Sequence, residues 1–224
     1  MNPIRYRKPT ANMPSPLLNR VDHLVYATPD LERSIAEIES RTGVRASAGG
    51  PHIGRGTRNA LIALGPNRYL EIIGPDAAQP TPATPRPFGV DALKAPRLLT
   101  WCAAAADLPR LRADAAQQSV PFDDVVAMSR ARPDGVTLSW HLTMPSKGFG
   151  DGLVPFFIDW DNSPHPSVTA AQGLALVALR AEHPAPSTIT HALDALGIPL
   201  FVTPGTLPGL IATIDSPNGR IELR

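Results

Sequence analysis

Two polar residues interrupt runs that otherwise read as buried strands. His23 stands in Val21-Asp22-His23-Leu24-Val25-Tyr26, and Glu71 stands in Tyr69-Leu70-Glu71-Ile72-Ile73. Apolar runs of this length, rich in β-branched and aromatic residues, predict strands. Side chains alternate faces along a strand, so His23 shares a face with Val21 and Val25, and Glu71 with Tyr69 and Ile73. In one curved sheet, an imidazole and a carboxylate would then look into the same cavity. An ionised glutamate buried alone is costly. Glu71 is therefore expected to face a wet pocket, bind an ion, or pair with Arg58 or Arg68. An apolar setting would also raise its pKa toward the range of a general base.

Further donors are spread along the chain. His52 sits in Gly49-Gly50-Pro51-His52-Ile53-Gly54-Arg55-Gly56, which reads as a loop able to fold over a pocket. The glycine spacing matches neither phosphate-binding fingerprint. His141 lies on Trp140-His141-Leu142, and His165 follows Trp160. Asn59, on a strand face with Leu61 and Ala63, is a candidate hydrogen-bond donor to substrate. Trp101, Trp140 and Trp160 are candidate flat walls for a ligand. Cys102, beside Trp101, reads as a buried and inert thiol, and as the single cysteine it excludes an internal disulfide.

The elements that must position these residues recur. Residues 1–20, broken by Pro3, Pro9, Pro14 and Pro16, read as a flexible leader with no signal-peptide core. From 21 to 75 the pattern is strand, helix and three strands. Thr28 or Asp30 caps the helix, Leu31, Ile35 and Ile38 line one side of it, and Gly43 closes it. Residues 76–97 are rich in proline and read as a stiff linker. The pattern returns over 98–165, and again as a third βαβββ-like module over 170–224. The third copy is closest at its end, where Gly65-Pro66-Asn67-Arg68-Tyr69-Leu70-Glu71-Ile72 matches Ser216-Pro217-Asn218-Gly219-Arg220-Ile221-Glu222-Leu223. There Glu222 takes the position of Glu71, while Ala175 takes that of His23.

Composition narrows the function classes. Lys and Arg total 21 against 20 Asp and Glu, a net charge of +1, which leaves no electrostatic footprint for nucleic acid or a membrane surface. No stretch approaches the roughly 20 apolar residues of a membrane span. The expectation is a cytoplasmic protein whose partner is a small molecule.

Strand-helix-strand-strand-strand repeats with a histidine on the first strand and a glutamate on the fourth resemble the vicinal oxygen chelate (VOC) superfamily. That group includes glyoxalases, extradiol dioxygenases, fosfomycin-resistance enzymes and bleomycin-binding proteins. Within it the chain is similar to the glyoxalase-like domain family. The likeness is carried by Asp22-His23-Leu24-Val25-Tyr26, Gly49-Gly50-Pro51-His52 with Gly56-Thr57-Arg58-Asn59-Ala60-Leu61, Tyr69-Leu70-Glu71-Ile72-Ile73, and Pro155-Phe156-Phe157-Ile158-Asp159-Trp160 followed by His165-Pro166-Ser167.

The resemblance implies an α+β fold of the glyoxalase/bleomycin-resistance/dihydroxybiphenyl dioxygenase type, with repeated modules cupping a pocket. In metal-dependent members, three or four His, Glu or Gln side chains hold a divalent ion that binds adjacent substrate oxygens. By position, His23 and Glu71 carry over as metal ligands. The second ligand pair does not, because Thr100 and the run Phe156, Phe157 and Ile158 stand there. A third ligand must come from His52, His141 or His165; His141 is assigned to the ion and His52 to the substrate. The implied activity is that of a metal-dependent lyase, isomerase or dioxygenase acting on a small oxygen-rich or carbonyl substrate. The ion would be Fe, Mn, Zn, Ni or Mg, and Glu71 would be ligand or base. The alternative is a metal-free protein that holds a small or drug-like ligand among the tryptophans. A homodimer is common where such sheets pair, although a third module here would cover that surface.

Overall fold

The structure, a computed structural model, describes residues 16–132 and 134–224. Strand β1 (Val21–Ala27) is buried along its whole length, as a near-continuous apolar run requires of a strand covered on both faces. Helix α1 (Leu31–Thr42) begins at Asp30, whose carboxylate accepts the Arg33 N–H, and ends at Gly43, left-handed at φ 77°. Strands β2 (Ser47–His52), β3 (Thr57–Ala63) and β4 (Tyr69–Pro75) complete the first module. The second repeats the order with β5 (Arg97–Ala104), α2 (Leu108–Gln117), β6 (Val126–Ala131), β7 (Thr137–Thr143) and β8 (Phe156–Asp159).

Both modules share one mixed sheet in the order β2-β3-β4-β1-β5-β8-β7-β6. In each, the first and fourth strands run parallel, and the antiparallel pair β1 and β5 joins the halves. The sheet curls until its edges meet, where Arg130 on β6 donates from Nη1 to the Gly49 carbonyl on β2. Curvature sorts the apolar residues. Leu24, Leu70, Trp101 and Phe157 pack outward with α1 and α2, while Val25, Ile73, Trp140, Phe156 and Ile158 pack on the inner face.

The third unit comprises β9 (Ala175–His183), α3 (Pro186–Ala195), β10 (Phe201–Pro204), β11 (Gly209–Ser216) and β12 (Gly219–Leu223). It keeps the order of elements but forms its own sheet, β10-β9-β11-β12. Here the first strand pairs in parallel with the second rather than the fourth. Glu222 therefore lies on an edge strand, with β11 between it and β9, and pairs with Arg180 at 3.2 Å. Its sequence likeness to Glu71 is that of two similar hairpins.

The structure corrects two further sequence expectations. Gly49–His52 is not a loop but part of the edge strand β2, bulged between Ala48 and Gly50, with Gly50 at φ 140° to admit the Arg130 side chain. The proline-rich stretch is more than a linker, because Pro85, Pro87 and Phe88 line the central cavity. Of the expected leader, residues 1–15 lie outside the described residues, whereas Leu17 and Leu18 are buried in the core.

Candidate functional site

A row of four residues crosses the inner face at the level of His23. Strand register aligns Tyr69 on β4, His23 on β1, Cys102 on β5 and Phe156 on β8. Tyr69 stacks on the imidazole at 4.6 Å and 17°, and Phe156 meets it edge-on at 5.3 Å. The β1 ladder is bulged between Val21 and His23, so the extra residue, Asp22, turns toward its neighbour. Oδ1 of Asp22 lies 2.7 Å from Nδ1 of His23. Oδ2 accepts from Nε1 of Trp160 at 3.0 Å and lies 3.3 Å from Nε2 of His165. The Ser167 N–H donates to Nδ1 of His165, leaving Nε2 of that ring as the donor to Asp22.

Burial alone would raise the Asp22 carboxyl, but hydrogen bonds from His165 and His23 outweigh it and hold its pKa at about 2. An ionised Asp22 can only accept, so Nδ1 of His23 carries a proton. In the neutral ring Nε2 is left with its lone pair toward Glu71.

Glu71 follows two residues after Tyr69 on the same face. Its Oε2 lies 3.9 Å from Nε2 of His23, and its Oε1 lies 3.8 Å from Nε2 of His52. Asn59 on β3 donates from Nδ2 to Oε1 at 2.5 Å. His52 is held by Thr57, 3.0 Å from Nδ1. Burial pulls the His52 pKa below its usual value, so the ring is neutral at pH 7. The arginine partners expected for Glu71 are elsewhere: Arg58 pairs with Glu32 at 2.8 Å, and among the described residues no arginine reaches Glu71.

His23, His52, Asn59, Glu71, Trp140 and Trp160 all line one cavity of about 330 Å³. Three other sequence candidates do not: His165, whose ring is taken up by Asp22 and Ser167, His141 and Trp101. His141 follows inward-facing Trp140 on β7, so strand alternation turns it away; it is half-exposed and takes Asp161 at 3.1 Å. That removes it as a ligand alongside His23 and Glu71. Trp101 precedes Cys102 and faces the outer core, fully buried, with Nε1 donating to the Leu153 carbonyl at 2.9 Å. It cannot touch a ligand in the cavity. Sequence reasoning passed over Arg130, although Val126, Met128 and Arg130 alternate on one strand face, the same kind of conflict that marks Glu71.

Comparison with known proteins decides the family, since the family model described as a glyoxalase-like domain matches residues 21–197. The chain belongs to the glyoxalase-like domain family. A crystal structure of a hypothetical protein from Staphylococcus aureus shows the same fold as this glyoxalase-like domain. It has a TM-score of 0.62 and 15% identity, over 90% of this chain and 83% of that one. Methylmalonyl-CoA epimerase from Mycobacterium tuberculosis is similar over 66% of this chain and 91% of its own, at TM-score 0.44 and 17% identity. No curated protein matches the chain.

VOC proteins typically hold a divalent ion, and the donor chemistry of this glyoxalase-like domain fits one. Nε2 of His23 lies 3.9 Å from Oε2 of Glu71 and Nε2 of His52 lies 3.8 Å from Oε1, so nitrogen and oxygen donors of the types that bind divalent ions face one hollow. Among the described residues, the donor group whose ligand atoms all lie within 4.8 Å of one another is a different one, Asp22, His23 and Cys102. Both Asp22 oxygens are already engaged by donors, and burial pushes the Cys102 thiol well above its ordinary value. Asp22 therefore orients His23 from behind.

Proposed function

We propose that this glyoxalase-like domain is a metal-dependent enzyme of the lyase, isomerase or dioxygenase type, acting on a small substrate with a carbonyl or adjacent oxygens. His23, Glu71 and His52 would hold the ion, which when bound would polarise substrate oxygen and stabilise charge developing there. The rest falls to the chain. Asp22 keeps His23 in the tautomer that offers Nε2. Asn59 engages Oε1 of Glu71, which leaves Oε2, the oxygen that faces His23, to bind the ion. Trp140, Trp160 and Phe156 give walls that exclude water and strengthen each electrostatic contact inside.

One observation supports this reading above the others: an ionised Asp22 fixes Nε2 of His23 opposite a buried glutamate, inside a ligand-sized hollow. Metal analysis of protein purified without chelators tests it. About one equivalent of Fe, Mn, Zn or Ni is expected, lost in His23→Ala. Absence of metal from both proteins would favour a metal-free binder, for which the apolar walls alone would be the functional feature.

A further inference from the structure

Arg130 is a buried cation with no counter-charge in contact among the described residues. Its residue is 5% exposed, and it lies on the inward face of β6 with Val126 and Met128. Nη1 donates to the Gly49 carbonyl, yet among the described residues no carboxylate oxygen comes within 4.0 Å of the guanidinium. Of the other arginines nearby, Arg132 is matched by Asp134, Arg86 by Asp91 and Arg58 by Glu32, while Arg55 at the cavity wall is exposed to solvent, which screens its charge. Burial pulls the Arg130 pKa down, partly offset by the field of Glu71. Glu71 acts on it only through space, from beyond ion-pair distance, and its oxygens lie instead beside Asn59, His23 and His52. A guanidinium does not shed its proton, and a buried charge left unpaired is strongly unfavourable.

We infer that Arg130 is an anion subsite and that the cavity takes a small monoanion with a flat apolar body. A carboxylate suits the planar fork of the guanidinium. The apolar body lies against Trp140 and Trp160, whose rings stand 5.4 Å apart and tilted at 49°, with Met128 adjusting its flexible side chain to fit. The inference rests on the proposed function for one point only, that the reacting oxygens lie beside His23 and Glu71. The substrate class is then an apolar, aromatic or bulky carboxylic acid carrying a second oxygen function.

Isothermal titration calorimetry with 2-naphthoate and its uncharged counterpart 2-naphthamide tests this. Wild-type protein is expected to favour the anion by roughly tenfold to hundredfold. The preference should vanish in Arg130→Met and persist in weaker form in Arg130→Lys, which keeps the charge and a donor for Gly49 if the methionine variant fails to fold. His23→Ala should lose metal and retain the preference. Equal binding of the two probes, or binding of neither, overturns the inference. So does a preference that survives Arg130→Met but disappears in His23→Ala, which would place the anion on the metal and leave the proposed function intact. A preference that follows Arg130 in protein without metal upholds the subsite while the metal reading fails.

Discussion

Nδ1 of His23 and Oδ1 of Asp22 lie 2.7 Å apart although the two residues are consecutive, and a regular strand would send their side chains to opposite faces. The bulge in β1 brings them together. Replacing the carboxylate with Asp22→Asn removes the charge that fixes the imidazole proton. Metal affinity, measured by competition with a chelator, should fall by roughly tenfold to hundredfold. An unchanged affinity would show that Asp22 does not orient the ligand.

The same carboxylate sets an acid limit. Its pKa is held at about 2 in the fold, against about 3.9 in an unfolded chain. A depressed carboxylate stabilises the fold above the unfolded value, and that contribution disappears as pH falls through the folded one. Between about pH 4 and pH 2 the metal-free protein should lose about 2 kcal/mol from this group. Urea titrations at stepped pH should show this slope in the wild type and a flatter one in Asp22→Asn.

Gly49 is hemmed in by the site. A Cβ there would stand 2.1 Å from Oδ1 of Asn59, the oxygen that is buried without a partner. Gly49→Ala should destabilise the protein by roughly 1–3 kcal/mol in urea denaturation. In an Asn59→Ala background most of that cost should vanish, because the clash is with the removed amide. Additive effects would place the strain elsewhere.

The tryptophans separate structure from binding. Trp101→Phe removes the bond to Leu153 and should cost roughly 1–3 kcal/mol of stability, with naphthoate affinity changed by less than about twofold. Trp140→Ala should weaken naphthoate by roughly fivefold or more. Loss of affinity in Trp101→Phe would contradict the face assigned to that side chain.

Much of the cup was legible from the chain because periodicity reports which face a residue takes. His23 and Glu71 were visible as polar interruptions of strands, and the structure sets them 3.9 Å apart. Asp22 escaped notice because its role depends on a bulge, which no alternation pattern signals. Trp101 and His141 were misplaced by residue type; counting from inward-facing Cys102 and Trp140 assigns both to the opposite face. The third unit misled for another reason. Element order is written in local sequence, whereas the pairing of β9 with β10 depends on long-range contacts that the repeat does not encode.

The two halves of the cup contribute unlike things. His23, His52, Asn59 and Glu71 come from β1 to β4, while Met128, Arg130, Trp140, Phe156 and Ile158 come from β6 to β8. The imidazole and carboxylate donors of the cavity thus come from one segment, and most of its apolar wall and the buried guanidinium come from the other. Such a division of labour lets selection remodel what is recognised in the second segment while the donors in the first stay where they are.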